Sequence, residues 1–231
     1  MAAATTQAKP ILLSWSGGKD SAWALHLLRQ DKRYRVVGLI TTINTHFGRV
    51  AMHGYREALL DAQAAAAELP LWKVPLPWPC TNEIYEQRMS ELCARAVAQG
   101  IHGVAFGDLF LEDIRAYRVE KLAPTGLEPI FPCWQIPTDE LAQQMIAAGV
   151  RAHLVCVNPQ NFPAGNAKQF AGRLFDQALL DALPASVDPC GERGEFHTFV
   201  SAAPCFSRSI DVSPGEIVER DSFLYADLLP A

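Results

Sequence analysis

The 231-residue chain predicts an α/β fold, a parallel sheet flanked by helices followed by a smaller α+β unit. Three observations predict it. Short apolar runs alternate with longer amphipathic ones over most of the length, as a helix-covered parallel sheet requires. The texture changes at Phe196, where "FHTFVS", "RSIDVS" and "GEIVER" read as antiparallel strands closing the molecule. Hydrophobic residues make up 49% of the chain, enough to bury a core and to argue against disorder.

The strands are expected at Ile11–Ser14, Arg35–Thr42, Leu71–Val74, Gly103–Phe106 and Ala152–Val157, whose Val, Ile and Leu suit burial on both faces. Helices are expected at Ser21–Gln30, Glu57–Glu68, Asn82–Gln99, Ile114–Leu122, Asp139–Ala148 and Ala167–Leu183. Gly100, Gly149 and nearby prolines stop several of them. Prolines cluster around Phe131–Thr138 and place a boundary there, which divides the chain into a flexible start (1–9), a first domain (10–130) and a C-terminal domain (131–231).

Charge and cysteine usage narrow the function. A net charge of −5 gives no overall positive field and argues against a nucleic-acid partner. The six cysteines contain no C-x-x-C pair, which leaves out zinc and dithiol-redox signatures and fits reduced thiols in the cytoplasm. The first nine residues lack the layout of a signal peptide, and no run is long and apolar enough to span a bilayer.

The most informative stretch is "SWSGGKDS", Ser14–Ser21, between the first strand and the first helix. A helix N-terminus favours an anion through its free N–H groups and its dipole. Gly17 and Gly18 let the backbone curl around phosphate oxygens; Ser16 and Ser21 offer hydroxyls, Lys19 a charge, and Asp20 a ligand for magnesium or a helix cap. The lysine is followed by Asp20 where a Walker-type loop needs Ser or Thr, so this is a different phosphate cradle. A bare glycine pair with a serine cap would also make an ordinary turn; the whole string favours a nucleotide.

The string resembles the signature of the PP-loop ATP pyrophosphatases, which have the adenine nucleotide alpha-hydrolase fold and split ATP between its α and β phosphates. Further segments extend the likeness: "AMH" at 51–53, "GDLFLEDIRAYRVEKL" at 107–122, "PIFPCW" at 129–134, "AGR" at 171–173 and "DPCGERGEFHTFV" at 188–200. Together they resemble the diphthine–ammonia ligase family, in its bacterial branch, from about Leu12 to Phe206. The resemblance implies an ATP- and Mg2+-dependent enzyme that activates a carboxylate as an acyl-adenylate and amidates it with ammonia. The carboxylate is either a small molecule or protein-borne. Arg193 and His197 depart from the residues common in the family and leave the substrate open.

The site expected on this basis gathers several segments. Ser14, Ser16, Gly17, Gly18, Lys19, Asp20, Ser21, Thr41, His53, Gly107 and Asp108 are placed with the nucleotide, and Asp20 and Asp108 with the metal. Arg115 and Arg118, three apart on one helix face, suit a phosphate or a substrate carboxylate, or else pair with Glu112 and Glu120. Lys19, Glu192, Glu195 and His197 are the expected catalytic groups. Two glutamates in a glycine-flanked turn can bind ammonium and take its proton, and His197 can do so if its pKa is ordinary. The same turn also reads as a charged entry to a strand, with its glycines there only for backbone angles, and Asp108 also reads as a cap.

Two other functions fit parts of the chain: a PP-loop tRNA-modifying enzyme and a sensor that holds an adenine nucleotide without turning it over. The acidic balance weighs against the first, and the glutamate-rich turn weighs against the second. A homodimer through the C-terminal strands is a further expectation.

Overall fold

The computed structural model describes residues 7–163 and 165–231. In chain order its elements are β1 (Lys9–Ser14), α1 (Lys19–Gln30), β2 (Tyr34–Asn44), β3 (Arg49–Val50), α2 (Glu57–Ala67), β4 (Leu71–Leu76), α3 (Asn82–Ala98), β5 (Gly103–Ala105), α4 (Glu112–Leu122), β6 (Glu128–Ile130), α5 (Thr138–Ala147), β7 (Arg151–Val157), α6 (Gln177–Ala182), β8 (Phe196–Ala202), β9 (Val212–Arg220) and β10 (Phe223–Pro230). Of the expected flexible start, residues 1–6 lie outside the described residues; Lys9 already belongs to β1. No helix among the described residues is long and apolar enough to cross a membrane.

The first sheet pairs β4, β2, β1, β5 and β6 in parallel, and β3 folds back antiparallel on the end of β2. β1 shows why it lies at the centre. Ile11 and Leu13 belong to one apolar cluster and Leu12 to the other, so successive side chains are buried on opposite faces. The second sheet is antiparallel, in the order β8-β7-β10-β9. One of the two clusters runs without a break from β1, α1 and α2 into β7 and β8, so the sheets share a core. The α/β class is as the sequence predicts.

Three features of the fold depart from expectation. The helix expected over Ala167–Leu183 is only the short α6, preceded by a 3-10 turn at Ala167–Gln169. Between them Gly172 takes φ +81°, and the backbone crosses to β7: Gly172 N donates to Leu154 O (2.8 Å) and Phe175 N to Ala152 O (2.8 Å). A sheet edge with unmade hydrogen bonds prevails here over helix propensity. β6 was not expected, because a three-residue strand containing Pro129 carries no periodicity, and "RSIDVS" and "GEIVER" merge into the single strand β9 against the unforeseen β10. All six cysteines are unpaired and five are buried.

Candidate functional site

β8 lies at one edge of the second sheet, and its free edge seats the glycine loop. Val200 N donates to Gly17 O (2.9 Å), and Lys19 N, in the first turn of α1, donates to the Thr198 hydroxyl (3.0 Å). Gly18, the N-cap of α1, has no side chain to cap with, so Thr198 supplies the missing acceptor from the other sheet. Gln63 of α2, fully buried, ties the layers together. Its amide donates to Gly17 O (2.9 Å) and Val200 O (2.8 Å), and its carbonyl accepts from Trp15 Nε1 (3.1 Å). Tyr55 closes the loop from below by donating to Ser16 O (2.9 Å).

Within the loop, Gly17 takes φ +74°, and a Cβ there would come within 2.0 Å of the Tyr55 hydroxyl. The Ser16 hydroxyl accepts from Gly18 N (3.3 Å) and donates to that of Ser21 (3.2 Å), which donates to Gly18 O (2.9 Å). Ser14 is half-buried at the end of β1. Gly107, following β5, lets that strand end approach the helix: a Cβ would meet the Asp20 carbonyl carbon at 2.9 Å. The cradle thus forms between β1 and β5, on the carboxyl-end side where open parallel sheets bind ligands.

Lys19 turns inward. Its side chain is 2% exposed, its ammonium sits 2.9 Å from each Asp20 carboxylate oxygen, and it donates to the carbonyl of Cys190. The rings of Phe175 and Phe196 flank it at 5.4 and 5.5 Å. Burial works against the charge, but Asp20, Cys190 and Glu192 outweigh it and hold the pKa above the ordinary lysine value.

The Asp188–Glu195 turn arranges its carboxylates against backbone. Asp188 accepts from Cys190 N (2.9 Å), Glu192 N (3.2 Å) and the Thr138 hydroxyl (2.7 Å), and Glu195 Oε1 accepts from Asp188 N (2.9 Å). Glu195 is 2% exposed, and its Oε2 is buried without a hydrogen-bond partner. Glu192 reaches across to accept from Leu109 N (2.8 Å). Burial, helped by Asp20 and Asp108 and opposed by the Leu109 hydrogen bond and Lys19, raises its pKa to about 7. The glycines Gly191 (φ +70°) and Gly194 (φ +82°) give the turn its path.

The His53 and His197 rings meet at a tilt of 37° with their centroids 4.8 Å apart, and His53 Nδ1 lies 3.0 Å from Thr198 O. The condition set for His197, an ordinary pKa, is not met. Burial and the Lys19 charge push it down to about 4, and burial and His197 push His53 to about 3, so both rings are neutral at pH 7. Thr41 is buried and donates to Trp15 O (2.7 Å), which places its hydroxyl in the support of the loop.

The two arginines are in different states. Arg118 is held by Asp108 in a two-point pair (2.5 and 3.1 Å) over the Phe106 ring (4.3 Å). Arg115 lies over Trp134 (5.0 Å) and Phe131 (5.3 Å), and its Nε is buried without a partner. Neither Glu112 nor Glu120 pairs with either arginine. No group of three or more potential metal ligands occurs among the described residues.

The structure therefore brings Lys19, Asp20 and Asp108 close enough for Glu192 to feel their charges, and the two histidines close enough to feel that of Lys19. Sequence reasoning missed Gln63, Thr198, Tyr55 and Asp188. The one available signal was Gln63, a lone amide in the alanine-rich "DAQAAAAEL" of a helix whose other inward residues are apolar.

The comparisons agree with this picture. The family model described as diphthamide synthase C-terminal domain matches residues 137–226. The diphthine–ammonia ligase of Bos taurus is 26% identical over 232 aligned positions, covering 91% of this chain and 85% of the relative; that of Homo sapiens is 22% identical with the same coverage. The Schizosaccharomyces pombe protein of that name is 24% identical, covering 90% of this chain and 36% of its own longer one. The match to the family model runs from α5 into β10, and over about nine-tenths of its length the chain is similar to diphthine–ammonia ligases.

Proposed function

We propose that the protein is an ATP-dependent carboxylate–ammonia ligase. The observation that carries the reading is the Lys19 ammonium, bonded to Asp20 of the glycine loop and to the Cys190 carbonyl of the carboxylate turn, which makes the phosphate cradle and the acid groups one site. A carboxylate oxygen of the substrate attacks the α phosphorus of ATP, the bond to the β phosphate breaks, and pyrophosphate leaves. Ammonia then attacks the acyl carbon of the acyl-adenylate and AMP leaves, so that the carboxylate has become an amide.

The residues suit these steps. The side-chain-free backbone of Gly17 and Gly18, the α1 N-terminus, and the Ser16 and Ser21 hydroxyls fit a polyphosphate. Asp20 and Asp108 fit Mg2+, which holds to one or two carboxylates and the substrate's own phosphates and would neutralise the charge on the leaving pyrophosphate. Both carboxylates are now paired, with Lys19 and Arg118, so loading requires those pairs to loosen. The unpartnered Glu195 Oε2 is an acceptor for an ammonium N–H, and Glu192, titrating near neutrality, takes the proton released as nitrogen attacks. His53 and His197, neutral beside Gly18, line the site as hydrogen-bonding groups rather than as charges.

Half-reactions test this division of labour. Glu192→Gln and Glu195→Gln are each expected to keep ATP–pyrophosphate exchange and to lose amide formation. Equal loss of both activities would remove these glutamates from ammonia handling.

A further inference from the structure

The carboxyl ends of β5 and β6 carry a layer of aromatic rings: Phe106 stacks on Phe131 (5.7 Å), and Phe131 meets Trp134 (6.0 Å). Guanidinium groups cover these faces, Arg118 over Phe106 and Arg115 over Phe131 and Trp134. Arg193, in the carboxylate turn, lies over Phe110 (5.5 Å), next to Leu109, on which Glu192 hydrogen-bonds. Of these three arginines, only Arg118 is in an ion pair with an acid among the described residues. Arg115 and Arg193 are left as flat cations on aromatic faces, in a chain whose net charge is −5.

Such an arrangement is costly unless it has a use. A guanidinium cannot shed its proton, and a buried N–H without an acceptor forfeits a hydrogen bond, as Arg115 Nε does here. The Phe131 and Trp134 rings lie against the Arg115 guanidinium, and no acid among the described residues pairs with it; a guanidinium so placed is the group that grips a carboxylate or phosphate. The rings are also withdrawn from another role. An aromatic surface of this kind would otherwise receive a cationic substrate group, and here the protein's own cations occupy it.

We propose that the acid amidated by this protein carries a second anionic group, which Arg115 binds, with Arg193 at the outer rim, while the first carboxylate is activated at the glycine loop. The inference rests on the ligase reading for the identity of the first carboxylate. Arg115 is thereby a specificity-determining residue that leaves the chemistry of adenylation unaltered.

The test separates the two readings. Ligand-observed NMR titrations of the AMP-loaded protein compare the dicarboxylates succinate, glutarate and adipate with monocarboxylates of equal length. At least one dicarboxylate is expected to bind about tenfold more tightly than its monocarboxylate partner, as one charge-assisted hydrogen-bonded contact provides. Arg115→Gln is expected to erase that preference without changing monocarboxylate binding, and Arg115→Lys to keep part of it. Equal binding of both classes, no binding of either, or a preference that survives in Arg115→Gln overturns the proposal. ATP–pyrophosphate exchange is measured on the same samples. Its absence alongside a retained dicarboxylate preference would refute the ligase chemistry and leave the anion site standing.

Discussion

Replacing Gln63 by Leu tests whether the second sheet holds the phosphate loop. The side chain is fully buried and makes hydrogen bonds to Trp15 Nε1, Gly17 O and Val200 O. Gly17 O retains Val200 N as a donor, and the Tyr55 hydroxyl retains Ser16 O. Trp15 Nε1 and Val200 O lose the Gln63 partner, and two stranded buried groups cost about 1–3 kcal/mol each. Leucine is similar in size and returns part of this through apolar burial, so the expected net loss is about 3 kcal/mol. In a chain of this size that lowers the thermal midpoint by roughly 6–12 °C. Urea unfolding followed by tryptophan fluorescence measures it, with the exposed Gln144→Leu as a control expected within about 0.5 kcal/mol of wild type. A loss for Gln63→Leu no larger than the control would show that the hub contributes nothing and that the loop is placed by other means.

Other expectations follow from the same geometry. Gly17→Ala and Gly100→Ala place alanine at nearly equal angles, φ +74° and +73°, but only at Gly17 does the new methyl collide with Tyr55. Gly100→Ala should cost about 1 kcal/mol of backbone strain, and Gly17→Ala clearly more, together with ATP binding measured by calorimetry; equal costs would refute the packing argument. Thr198→Val should weaken the helix start by about 1 kcal/mol, Thr198→Ser should restore it, and denaturant melts of the two would decide. The acid limb of stability carries opposing signs. His53 and His197 have pKa values depressed on folding to about 3 and 4, so the unfolded chain binds more protons below pH 6.5 and stability falls there by up to about 1.4 kcal/mol per pH unit for each ring. Glu192, raised to about 7, works the other way between its ordinary carboxyl value and 7, and offsets one of the two. His53→Gln should therefore flatten the fall between pH 6.5 and 4, and an unchanged slope would contradict the burial of the ring.

The central strands were legible because burial on both faces writes a plain apolar run, as in Ile11–Ser14, and the glycine loop was legible because few other uses need that string. What sequence could not give were contacts made across the fold. Thr198 caps a helix 179 positions away, and nothing local marks it. The segment at Ala167–Leu183 looks helical by pattern but answers to the open edge of β7. The arginines share a helix face as their spacing requires, yet which of them is free depended on Asp108. The histidine pKa values depended on burial that no spacing reveals.

A single site that cleaves ATP to AMP and pyrophosphate in order to amidate an acid is tested most directly by its products. Purified protein incubated with ATP, Mg2+, 15N-labelled ammonium and a metabolite extract is expected to yield AMP and pyrophosphate together with a product carrying one 15N in place of a carboxylate oxygen. Release of ADP and phosphate, or ATP that stays bound and uncleaved in every extract, would contradict it.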